Sequence, residues 1–243
     1  MNGRAITIAL ATCGELPDGD ADDRPLVAAL QRHGARARWV VWDDPAARWP
    51  DFDLVLIRST WDYTLRHEDF LAWASSAPRL VNPAAIVAWS SDKRYLLDLA
   101  DAGVPIVPTA VAPPGAAATL PGGRFVIKPS VGAGTRGAGR FDGSGEGGAA
   151  GRAAALAHLA QLHAAGRTAL IQPYIDAIDS RGETGLVFFG GQYSHAIRKS
   201  SMLPPGAAYR LGAQDAGGAA HPERIAPRRA TGAEIAAAHR ALD

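Results

Sequence analysis

No segment restricts the chain's conformation more than residues 125–140. Phe125-Val126-Ile127-Lys128-Pro129 is a short apolar run ended by a proline, which reads as a strand carrying one lysine. Behind it come Ser130-Val131-Gly132-Ala133-Gly134-Thr135-Arg136-Gly137-Ala138-Gly139-Arg140, with four glycines between positions 132 and 139. Glycine propagates a helix poorly, at about 1 kcal/mol below alanine. Without Cβ atoms in the way, backbone N–H groups can close around an anion, and a lysine at the preceding strand end adds a point charge. The same residues suit a flexible hairpin turn. Lys128, directly before the loop, favours a phosphate cradle.

The loop also contains Gly132-x-Gly134-x-x-Gly137, the dinucleotide-binding spacing. That fingerprint needs a helix opening at its third glycine, so that a pyrophosphate meets the helix N-terminus. Here the chain continues Ala138-Gly139-Arg140-Phe141-Asp142-Gly143, which does not open a helix. The first strand, where the fingerprint belongs, is followed by Thr12-Cys13-Gly14-Glu15. An NAD(P)-binding dehydrogenase therefore ranks below a nucleoside-triphosphate reading, and the absence of G-x-x-x-x-G-K-[ST] excludes a P-loop enzyme.

The first third alternates between strands and helices. Strands are predicted over 5–10, 38–42 and 53–57, and helices over 24–33 and 68–76. Asp23 suits the N-cap of the first helix, Pro25 its first turn and Gly34 its end. This order predicts a parallel sheet covered by helices, with ligands at the carboxyl ends of its strands. The third strand runs into Arg58-Ser59-Thr60-Trp61-Asp62-Tyr63. Those residues read equally well as a substrate-contacting loop or as a helix cap with two packing aromatics.

Farther on, helices are predicted over 83–89 and 92–102, the second closed by Gly103, followed by an extended, proline-bounded stretch over 104–108 and a linker over 112–123. A helix over 149–165 carries His158 and His163, which receive no role. A strand over 168–175 breaks at Pro173, and strands over 184–189 and 192–197 form a hairpin about Gly190-Gly191. Arg198-Lys199 ends that hairpin as a charged strand end or as cations beside the phosphate region. A capped helix starts at Thr231.

Composition narrows the function classes. With 243 residues, one large or two small domains are expected, and 25 basic against 24 acidic side chains leave a formal charge of +1. That balance argues against a nucleic-acid or anionic-membrane binder. One cysteine, Cys13, cannot build a disulfide framework or a multi-cysteine metal site. No apolar run approaches the about 18 residues of a membrane span. The run over 5–10 is too short for a signal peptide, so a cytoplasmic location is expected.

Four segments in order carry a resemblance: Arg58-Ser59-Thr60-Trp61-Asp62-Tyr63, Ser91-Asp92-Lys93-Arg94-Tyr95-Leu96, Val126-Ile127-Lys128-Pro129 and Ile171-Gln172-Pro173-Tyr174. With them the chain resembles the ATP-grasp ligase superfamily, in its glutathione-synthetase-like branch, nearest to the cyclo-ligases of cycloserine biosynthesis and their relatives. The resemblance implies an α/β fold: an N-terminal open parallel α/β domain over 1–81, connecting helices over 82–106, a small α+β ATP-binding domain over 107–172, and the incomplete start of a C-terminal grasp domain over 173–243. It implies an ATP-dependent carboxylate–amine ligase with ATP and Mg²⁺, acting on a small-molecule carboxylate and an amine nucleophile. It implies no nucleic-acid or membrane partner, and often a homodimer.

Carried over residue by residue, the resemblance places Lys93 and Lys128 on the ATP phosphates. Gly132, Gly134, Thr135 and Gly137 lie in the mobile loop above them. Gln172, Tyr174 and Ile175 line the adenine pocket. Glu183, ahead of Asp179, receives a ribose hydroxyl, and Arg198 steadies the transferred phosphoryl group. Arg58, Ser59, Thr60, Trp61 and Asp62 become the substrate loop. The family's magnesium ligands lie on late strands, whereas here the chain passes from Glu223 to a helix holding Glu234. No metal ligand is therefore assigned within this chain. A ligase, and a degenerate or truncated nucleotide-binding protein without turnover, both remain as readings.

Overall fold

The structure, a computed structural model, describes residues 4–209 and 224–242. It divides into two compact units, Met1–Ser91 and Asp92–Asp243, each with its own core.

The first unit runs β1 (Thr7–Thr12), α1 (Arg24–Arg32), β2 (Arg36–Val41), β3 (Leu54–Ser59), α2 (His67–Ser76), β4 (Leu80–Val81) and α3 (Ala84–Ser91). The strands form one parallel sheet in the order β2-β1-β3-β4, with Thr7 opposite Arg36 and Ile8 opposite Leu54. Central β1 is buried from its second residue onward, which is why it reads as an unbroken apolar run. Phe70 and Trp73 of α2 close the core against Trp42, with ring centroids 5.5 and 6.0 Å from the Trp42 ring. The chain leaves β1 toward β2 on one side and returns to β3 on the other. This is a topological switch point, and it places the end of β3 where open α/β sheets bind ligands.

Asp23 stands at the cap position of α1 but makes no side-chain cap bond. Its carboxylate is drawn away by Arg58 and by Ser59 Oγ, which donates across 2.9 Å.

The second unit contains α4 (Tyr95–Asp101), β5 (Ala110–Ala112), β6 (Arg124–Pro129), β7 (Gly139–Asp142), α5 (Gly148–Ala164), β8 (Ala169–Pro173), α6 (Ala177–Arg181), β9 (Glu183–Phe189), β10 (Gln192–Lys199), β11 (Ile225–Arg228) and α7 (Gly232–Leu242). An antiparallel sheet in the order β5-β8-β6-β7 is covered by α5, whose Leu159 and Leu162 pack with Phe125, Ile127 and Phe141. The approach is close at Gly151, where a Cβ would lie 1.8 Å from the Asp142 carbonyl oxygen. A second antiparallel sheet has the order β11-β10-β9. Its β9–β10 turn uses Gly190 and Gly191 at φ +57° and +78°, the two left-handed positions such a turn requires.

Several local expectations change. Helix α4 starts at Tyr95 rather than at 92, because Asp92 accepts the Arg94 N–H at 3.0 Å and the Lys93 N–H goes to the Ser130 carbonyl at 2.8 Å. The glycine-rich segment is topologically a hairpin loop between the paired strands β6 and β7. Four strands fall outside those read from the sequence: β4, β5, β7 and β11. In β5 the sequence is only Ala-Val-Ala, and β11 contains Pro227, tolerated because β11 lies at the edge of its sheet. Glu223 lies outside the described residues. Glu234 joins Thr231 in a reciprocal cap of α7: it accepts the Thr231 N–H at 2.7 Å, and its own N–H reaches Thr231 Oγ1 at 3.2 Å. No helix among the described residues is long and apolar enough to cross a membrane.

Candidate functional site

The second unit gathers most of the residues expected at a nucleotide. Lys93 precedes α4, and its ammonium donates to the Gly132 carbonyl at the base of the glycine-rich loop. Lys128 sits near the end of β6. Burial, together with the neighbouring Lys128 charge and against the pull of Asp92, lowers the Lys93 pKa to about 8. Burial also lowers the Lys128 pKa, against the pull of Glu183. Two partly buried cations side by side repel one another and lose hydration, an arrangement that a polyanion relieves.

The loop above them is shaped by its glycines. Gly134 and Gly137 have φ of +60° and +71°. Thr135 is buried, and its carbonyl accepts the Ala138 N–H at 2.9 Å. The loop is also held from below by a residue to which the sequence assigns nothing. His158 of α5 is buried, and its Nε2 lies 3.0 Å from the Gly137 carbonyl. Burial lowers its pKa, so the neutral ring donates through Nε2. His163 bonds the Ala112 carbonyl at 3.1 Å.

Gln172 on β8 is buried, with Nε2 donating to Thr109 Oγ1 at 2.8 Å, so its side chain ties β8 to the stretch before β5. Tyr174 gives its N–H to the Arg124 carbonyl at 2.9 Å, and Ile175 is exposed. Glu183 opens β9 directly across from Lys199, whereas Arg198 stands across from Thr184. Residues directly opposite share a face and neighbours alternate. Glu183 and Lys199 therefore lie on one face and Arg198 on the other. Among the described residues, no group of three or more His, Cys, Asp or Glu converges as a metal site. A cavity of about 630 Å³ between β7, α5 and residues 206–209 is lined by none of the expected site residues.

The first unit holds the substrate-loop candidates, largely engaged with one another. Ser59 is buried, accepting the Asp20 N–H at 3.0 Å while donating to Asp23. Arg58 pairs with Asp23, Asp62 accepts the Trp42 indole N–H at 2.9 Å, and Thr60 is buried. Trp61 is 49% exposed. Most of the loop's polar groups thus build the turn, while Trp61 and the outer edge of Arg58 face solvent.

Comparison with known proteins agrees with this geometry. The family described as D-cycloserine synthetase DcsG, N-terminal domain, matches residues 8–82. The cycloserine biosynthesis protein DcsG of Streptomyces lavendulae is 38% identical over 199 residues, which span 76% of this chain and 64% of that protein. The crystal structure of D-cycloserine synthetase DcsG superposes with a TM-score of 0.80 at 34% identity, over 97% of this chain and 79% of that one. The chain belongs to the DcsG family. Its fold is the ATP-grasp fold, shared more distantly with the D-alanine–D-alanine ligase of Bacillus anthracis at a TM-score of 0.58 and 13% identity, over 97% of this chain and 78% of that one. The DcsG-family match to residues 8–82 covers the first unit's sheet, including the loop after β3.

Proposed function

We propose that this chain serves an ATP-dependent carboxylate–amine ligase that makes an amide-type or cyclising bond through an acyl-phosphate. The observation that carries the proposal is Lys93 beside Lys128, two desolvated cations beneath a glycine-rich hairpin. Support comes from the family, whose relative is named for cycloserine biosynthesis, and from a D-alanine–D-alanine ligase of like fold (TM-score 0.54, 11% identity, over 97% of this chain and 78% of that one) complexed with ATP.

In this reading Lys93 and Lys128 hold the phosphates, with Gly132, Gly134, Thr135 and Gly137 closing over them. Gln172, Tyr174 and Ile175 wall the adenine, and Glu183 takes a ribose hydroxyl. The sheet β5-β8-β6-β7 with α5 is the small ATP-binding domain over 107–172, and the β9–β11 sheet belongs to the C-terminal grasp part. An oxygen of the substrate carboxylate attacks the γ-phosphorus and ADP leaves. An amine then attacks the acyl carbon and inorganic phosphate leaves. Such transfer needs positioning and charge neutralisation more than covalent help from the protein. Arg58 with Trp61 is the candidate for the substrate carboxylate, whereas Arg198, assigned to the transferred phosphoryl group, lies on the sheet face opposite Glu183 and is not placed on the nucleotide in this reading. No protein ligand for Mg²⁺ is named in this reading. The dinucleotide spacing closes a hairpin instead of opening a helix, which removes the physical basis for a dehydrogenase.

Calorimetric ATP titration and phosphate release from ATP with amino-acid carboxylates and amines test the proposal. The expected result is ATP binding, with phosphate released only when an acceptor is present. Binding without release would leave a nucleotide-binding protein without turnover, and no ATP binding would remove the reading.

A further inference from the structure

A polar cluster of the second unit is centred on Arg140, a residue outside the lysine pair. Its side chain is 3% exposed although it carries a permanent charge. Arg140 Nη1 donates to Asp179 Oδ1 at 3.0 Å and to the Leu203 carbonyl at 3.1 Å, and Nη2 donates to Asp179 Oδ2 at 2.9 Å. The guanidinium carbon lies 3.6 Å from the centroid of the Tyr174 ring. The Tyr174 hydroxyl donates to Asp179, as does Ser201 Oγ at 3.2 Å. The Arg140 N–H reaches the Ala207 carbonyl at 2.8 Å.

One side chain thus joins four separate pieces: β7, which is the return strand of the glycine-rich hairpin; the Tyr174 segment after β8; helix α6; and residues 201–203. The Asp179 carboxylate receives four donors: one Arg140 N–H, Tyr174 and Ser201 reach Oδ1, and the second Arg140 N–H reaches Oδ2. A planar, bidentate and stacked guanidinium does this in a way an ammonium cannot.

We infer that Arg140 is a positioning residue of the nucleotide site, which with Asp179 clamps the Tyr174 ring and so fixes the base-recognising segment relative to the phosphate hairpin. The inference rests on the proposed reading of Tyr174 and Ile175 as the adenine wall. Its consequence is base selectivity, because the hydrogen-bonding pattern of a purine edge is read only by a segment held still.

The test is direct binding of ATP and GTP to the 243-residue chain by titration calorimetry, with thermal melts of each variant. Arg140→Lys retains the charge but loses the fork and the stack. The expected result is about a tenfold loss of ATP affinity with little change for GTP, so that the ATP-over-GTP preference collapses. Asp179→Asn should do the same, and the double variant should be no worse than either single one, because the residues act as one unit. An Arg140→Lys chain that melts normally and keeps the native ATP-over-GTP ratio would overturn the inference. So would equal losses for both nucleotides. Lys128→Met separates the two levels: if it abolishes ATP binding while Arg140→Lys leaves the ratio intact, the nucleotide site stands and the clamp falls. If the native chain binds neither nucleotide, both fall.

Discussion

Lys128 and Lys93 show how much a single side chain reveals before it is placed. Lys128 was legible because a lone cation on an apolar strand directly before a glycine run has few structural uses. Lys128→Met is expected to lower ATP affinity at least tenfold while the circular dichroism spectrum stays native, since a charge-assisted contact is lost and the aliphatic stem is replaced. Lys93 was legible only through resemblance, and its chemistry came from burial. With a pKa near 8 in the free chain, Lys93 loses its proton as pH rises through that value, and phosphates bind the charged form. ATP affinity is therefore expected to weaken above about pH 8, with proton uptake on binding. Calorimetry at pH 8.5 in buffers of different ionisation enthalpy reads that uptake, and pH-independent binding from 7 to 9.5 would contradict it. Arg140 and His158 were not legible. Their partners lie 39 and 21 residues away, and neither side chain carries a local signature of the contact it makes.

At the level of elements, sequence periodicity located the strands and helices that bury a continuous apolar face and missed those that exist by pairing alone. Strands β1, β6 and β8 are apolar runs largely buried in their sheets, and β3 is an apolar run half-buried in its own. Strand β5 is three small residues made extended by β8, and β11 is a proline-containing edge made extended by β10. Where two elements approach closely, glycine is the local requirement. Gly151→Ala would drive a methyl into the Asp142 carbonyl, and α5 must lift from β7 to admit it. The expected cost is about 1–3 kcal/mol, seen as a fall of roughly 2–4 °C in Tm per kcal/mol for a chain of this size. A melting temperature within 1 °C of the native value would show that this contact is looser than described. His158 adds a pH dependence to the same helix. Its pKa is lowered in the folded state, so below the ordinary histidine value the unfolded chain takes the proton first, and stability falls as the pH is lowered.

For the whole molecule, the two units have separate cores, one beneath a parallel sheet and one beneath an antiparallel sheet. The residues assigned to the nucleotide all belong to the second. ATP is expected to slow hydrogen exchange in residues 126–139 and 169–175 far more than in the parallel sheet. At a hundredfold excess over Kd, the linked stabilisation is about 2.7 kcal/mol. Uniform protection of both units, or none, would place the nucleotide elsewhere. Sequence alone determined the alternation that requires a parallel sheet, the lysine-bearing strand before the glycine loop, and the order of segments that marks the family. These are local facts, set by backbone freedom and apolar patterning along the chain. Only tertiary structure decided that Asp23 serves Arg58 and Ser59 instead of capping a helix, and that a buried arginine ties the glycine hairpin to Tyr174. Each depends on which desolvated charges and unpaired polar groups are brought within hydrogen-bonding reach, and folding alone sets that proximity.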